Sequence, residues 1–134
     1  MTRKTARENT FLLLFERGLK ADETAEEIFA KATEERALET NDYVCAVFFG
    51  ACGNMTEIDE LINKCLLGWK RERVSAVSMA LLRLAAYEML FVDDVPTKVS
   101  INEAIELSKK YDDEKSYSFV NGVLNAVAEA IGKK

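Results

Sequence analysis

The chain has no histidine, one proline, one tryptophan and three cysteines among 134 residues. Without histidine, Ser-His and Cys-His nucleophilic pairs are excluded. Cys45, Cys52 and Cys65 form no CxxC pair, so a tetrahedral zinc site, which needs four closely placed Cys or His ligands, is not expected. An odd number of thiols along an apolar helix face suits reduced core cysteines in a reducing compartment. One proline and six glycines leave few turn signals, which favours long helices over a many-turned β fold. No apolar run approaches the ~18 residues that would span a bilayer. The basic N-terminus runs directly into an amphipathic pattern, with no hydrophobic block of a signal peptide. The chain therefore reads as cytoplasmic, with no membrane contact. No glycine-rich phosphate loop is present. Glu88, Glu103 and Glu106 sit on helical segments, but their spacing selects neither a metal nor a nucleophile. These residues read as structural carboxylates, and the chain as a binding protein without cofactor or catalytic site.

A hydrophobic fraction of 49% with 31% charged residues belongs to a packed domain. The length suits one domain, residues 1–134, divided into subdomains of about 1–68 and 69–134. A first helix is predicted from about Lys4 to Leu19, with Phe11, Leu14, Phe15 and Gly18 in one stripe. Asp22 or Thr24 caps a second reaching about Ala37, where Thr24-x-x-Glu27 fits a capping box. Val44, Phe48, Ala51, Met55, Ile58, Ile62 and Cys65 alternate spacings of four and three. That heptad pattern predicts one long, nearly straight third helix at the centre of a bundle, with Gly50 and Gly53 allowing close approach and Gly68 ending it. Trp69 to Arg73 reads as a turn in which Trp69 is a partly buried staple. A fourth helix, about Val74 to Phe91, is apolar on more than half its circumference. Pro96 opens a fifth, and a sixth runs from about Ser116 to Ile131. The fold class is all-α.

Charge is segregated although the total is only −5. Residues 1–20 carry five basic groups against two acidic, and residues 21–60 carry eleven acidic against two basic. Arg3, Lys4 and Arg7 lie near the first turn of the first helix, where the macrodipole disfavours cations. A phosphate partner would relieve that cost. A basic arm on an acidic protein suits local contact with nucleic acid. At the other end of the chain, Lys115, Tyr117 and Phe119 bring a cation and two aromatic rings to a helix start, whose free N–H groups also suit a phosphate. Phosphate-tracking cations with base-stacking rings are the means by which single-stranded RNA is held.

Three motifs then occur in order: Leu82-Arg83-Leu84-Ala85-Ala86-Tyr87-Glu88, Val95-Pro96 leading to Ile101-Asn102-Glu103-Ala104, and Ser118-Phe119-Val120-Asn121-Gly122-Val123-Leu124. In this the chain resembles the bacterial NusB family of transcription antitermination factors, most closely over Ser78 to Val127. The resemblance implies six to seven helices in two three-helix subdomains sharing the long third and fourth helices. It also implies that the first and last helices pack side by side, bringing the two basic regions together. The expected partners are boxA-type single-stranded RNA, the ribosomal protein NusE and, through them, the RNA polymerase antitermination complex on ribosomal RNA operons. RNA contacts would fall to Arg3, Lys4, Arg7, Lys115, Tyr117, Phe119 and Asn121. Partner contacts would fall to Ser78, Arg83, Tyr87 and Glu88 on the outer side of the fourth and fifth helices. A homodimer through the partly apolar, unoccupied surface is allowed. NusB-like domains also occur as appendages of ribosomal RNA cytosine methyltransferases, but the expected downstream catalytic domain does not fit 134 residues. A helical protein–protein adaptor is the remaining alternative.

Overall fold

A computed structural model describes residues 1–133, and all regular structure among them is helical. In order these are α1 (Arg3–Leu19), α2 (Ala25–Ala30) running into a π-helical turn (Lys31–Glu35), α3 (Asp42–Gly53), α4 (Met55–Lys64), α5 (Ala76–Phe91), α6 (Thr97–Tyr111) and α7 (Ser116–Ala130), with a 3-10 turn at Arg71–Arg73. Local chemistry sets the boundaries. Thr2 caps α1 by accepting the Thr5 N–H, and Ser75 caps α5 by accepting that of Ser78. Thr24 and Glu27 close the anticipated capping box on α2. Pro96 is the N-cap residue of α6, and its carbonyl accepts from Val99 and Ser100.

The predicted long third helix is two helices. The chain breaks at Asn54, whose φ of −120° and ψ of 22° leave helical geometry. The Asn54 side chain donates to the Gly50 carbonyl at 2.7 Å, offering the backbone a local alternative to the helical ladder. Gly53 directly before it lowers the cost of that break. The heptad register survives, because Val44, Phe48, Ala51, Ile58 and Ile62 are all buried across the break.

The centre of the bundle is α5, not the third predicted helix. It packs against α1, α3, α4, α6 and α7, and ten of its residues are buried, from Ser78 to Met89. Phe11 and Leu14 from α1, Phe48 from α3, Ile58 and Ile62 from α4 and Leu124 from α7 close the core around it. Gly50 is required by this arrangement: a side chain there would overlap the Tyr87 hydroxyl of α5. The arrangement of α1 and α7 also differs from expectation. The main packing of α1 is against α3 and α5, and that of α7 is against α5 and α6. The central helix and α6 therefore lie between the two ends of the chain.

Candidate nucleic-acid interface

Two of the expected contact residues meet inside the protein. Arg7 is 4% exposed and Glu88 is fully buried. The Arg7 Nε donates to Glu88 Oε2 at 2.9 Å, and its Nη1 lies 3.5 Å from Glu103. Tyr43 donates its hydroxyl to Glu88 Oε2, and Ser100 donates to Oε1 at 2.9 Å. One buried carboxylate thus joins α1, α3, α5 and α6. Burial alone would lower the Arg7 pKa, but the facing Glu88 charge, then Tyr43 and Glu103, hold it above its ordinary value. Tyr43 is pushed up by burial first and by the Glu88 charge second. Arg7 is therefore a buried structural cation and not a surface phosphate ligand, and Glu88 cannot reach a partner.

Two other partner candidates are also turned inward. Arg83 grips Asp59 of α4 with two bonds of 2.9 Å. Ser78 is 2% exposed and donates to Asp112 Oδ2 at 3.3 Å. Arg83 and Tyr87 are both half-buried, and the Tyr87 ring lies 4.9 Å from that of exposed Phe91. The helical periodicity of α5 placed all four residues on the helix, but α5 is covered on almost every side, which the short motif could not reveal.

The remaining arm residues are available. Arg3 is exposed, its guanidinium 4.4 Å above the Tyr43 ring, and Lys4 lies 3.6 Å from Glu103 with most of its side chain in solvent. From Lys4 a shallow groove of about 360 Å³ runs between α1 and α6, past Glu8, Glu103, Lys109 and Lys110. Lys110 bonds Glu8 at 2.6 Å, and the Tyr111 hydroxyl donates to the same carboxylate at 2.5 Å. The bond from Lys110, then that from Tyr111, holds Glu8 below its ordinary pKa. Lys109 lies 4.9 Å from the Tyr117 ring centre at the start of α7. The last turn of α6 thus bridges the arm and the α7 region, which do not pack together directly. Sequence reasoning missed Lys109 and Lys110 because, on the helix alone, they read as cations complementing a C-terminus.

Beyond Tyr117 lies a groove of about 590 Å³ between the α5 start, the α6–α7 turn and the loop before the 3-10 turn. It is lined by Trp69, Arg73, Lys115 and Phe119, with Ser75, Ser78 and Asp112 among the other lining residues. Phe119 is half-buried, with its inner side against the core and its ring 5.4 Å from Trp69 in an edge-to-face contact. Gly122 lies close beneath this loop: a Cβ there would come 3.2 Å from Cδ1 of exposed Leu67. Trp69, expected as a partly buried staple, is 56% exposed, with its edge-to-face contact to Phe119. Nor is the α7 start an open phosphate cradle. Asp113 Oδ1 accepts from the Lys115 and Ser116 N–H groups, both at 3.0 Å, so a carboxylate already occupies that position. Asn121 is exposed on α7 outside the groove walls and accepts from Asn125 at 3.0 Å.

Residues 4–129 match the model of the NusB family. The transcription antitermination protein NusB of Natranaerobius thermophilus is 42% identical over 137 aligned positions, covering 99% of each chain. Among solved structures, T. maritima NusB superposes with a TM-score of 0.82 at 34% identity over 96% of this chain and 92% of that one. A NusB-like chain in a complex of antitermination factors NusB and NusE with dsRNA superposes at 0.84, with 33% identity and 96% coverage of both chains.

Proposed function

The chain belongs to the NusB family of transcription antitermination proteins, and we propose that it binds boxA-type single-stranded RNA jointly with a NusE-type ribosomal protein. The observation that carries this reading is a track of exposed and half-buried groups: Lys4 and Lys109 line one groove, Lys109 lies beside Tyr117, and Lys115, Phe119 and Arg73 line a second groove, with Arg3 near the first. Cations recur along it at intervals and aromatic rings stand at one end, the layout that holds a sugar–phosphate backbone while splayed bases stack. In the cytoplasm, such a complex would join RNA polymerase and resist termination on ribosomal RNA operons. Tyr87 with Phe91 offers a part-exposed apolar surface on the face where a protein partner is expected.

The net charge of −5 and the acidic groups interleaved with the track's cations make RNA binding by this chain alone weak at physiological salt. A basic partner extends the track, so RNA and partner should each tighten the other by the same factor, a coupling of about 1–3 kcal/mol. Calorimetric titration of the NusE-type protein, with and without a boxA-like oligomer, measures this directly. A duplex of the same sequence serves as a control, since one similar complex contains dsRNA. Equal partner affinities with and without RNA would refute joint binding.

A further inference from the structure

The reading of an RNA track leaves the carboxylates of the groove beside Trp69 without a role. The chain turns into that groove through two successive left-handed residues, Leu67 at φ 56° and Gly68 at φ 88°. A leucine in that conformation is strained. The turn delivers Trp69, with its N–H bonded to Leu66 O at 3.0 Å and its indole 56% exposed. The edge-to-face contact with Phe119 covers at most one face of the indole, so at least one face stays uncovered by that ring.

Charge in the groove is layered. Arg73, Lys115 and Asp113 are exposed among its lining residues, whereas Asp112 is half-buried beside the buried Ser78. Asp112 Oδ2 accepts from Ser75 at 2.7 Å and from Ser78 at 3.3 Å, which fixes the carboxylate in place. The Asp112 carboxylate repels a phosphate but can accept a hydrogen bond from an N–H group on a base edge. The sugar–phosphate backbone is thereby kept at the rim, and a base is the part of RNA that the interior suits. Resting on the RNA reading above, we infer that Trp69 is the stacking platform for one unpaired nucleobase, which enters this groove with its polar edge toward Asp112.

Trp69 is the chain's single tryptophan, so its emission reports on this groove alone. The test titrates a boxA-like RNA into the full chain with its NusE-type partner. It follows tryptophan emission against a tryptophan-free partner, and separately the anisotropy of dye-labelled RNA. Saturating RNA quenches Trp69. Trp69→Ala weakens RNA binding by about 5- to 150-fold while circular dichroism and the salt slope stay unchanged, and Trp69→Phe restores most of the loss. Unchanged emission while anisotropy shows bound RNA, or full affinity in Trp69→Ala, overturns the assignment and leaves the RNA reading intact. Quenching by the partner without RNA also overturns it and gives the groove to a protein contact. RNA that fails to bind by anisotropy overturns both readings together.

Discussion

Arg7 shows how one position can carry two opposite meanings. In the sequence it is the third cation of a basic arm; in the fold it neutralises a carboxylate with no solvent access. Removing one member of a buried ion pair strands the other charge, at a cost of about 3–5 kcal/mol. Arg7→Ala is thus expected to lower stability by about that amount in urea denaturation. Arg3→Ala, at an exposed site, should stay within about 0.5 kcal/mol. A phosphate ligand would behave in the reverse way, losing RNA affinity and keeping its stability. The distinction was invisible in the sequence because burial of Arg7 depends on Tyr43, Glu88 and Ser100, which come from three other helices.

Between elements, the α1–α6 seam depends on pH. Glu8 accepts from Lys110 and Tyr111 and has a folded pKa below its ordinary 4.5. Between that lowered value and 4.5 the unfolded chain binds more protons than the folded one, so stability rises with pH there. The contribution is complete above the ordinary carboxylate range and is lost as pH falls through the folded pKa. Glu8→Gln should therefore flatten the acid limb of a stability–pH profile and leave its neutral plateau with a smaller gain; an unchanged acid limb would show that the seam carries no such linkage. Elements themselves were largely legible, since the Thr24 capping box, Pro96 and the apolar stripes mark helices that do form. The break at Asn54 was not, because the heptad register continues through it and only a side chain reaching Gly50 reveals the interruption.

Across the whole molecule, the track joins residues that the chain keeps far apart. Arg3 and Lys115 were legible as cations near helix starts, and Phe119 as part of a motif. The bridge through Lys109 and Lys110 follows only from α6 lying beside α1 and leading into α7. That geometry fixes which cations can release counterions when RNA binds. For single strands, each phosphate contact contributes about 0.7 to the slope of log affinity against log salt. Replacing Arg3 and Lys4 together by Ala should lower that slope by up to about 1.4 units with little change in melting temperature. Lys109→Ala should lower it by about 0.7, although nothing in its helix alone marks it as a ligand. Adding an arginine change at position 7 should leave the slope where it was and reduce the folded fraction, because Arg7 faces Glu88 and not solvent. Salt titrations of the three variants, each corrected for folded protein, separate these outcomes. A slope that falls with Arg7 but not with Lys109 would mean that RNA follows the N-terminal arm alone and never crosses α6.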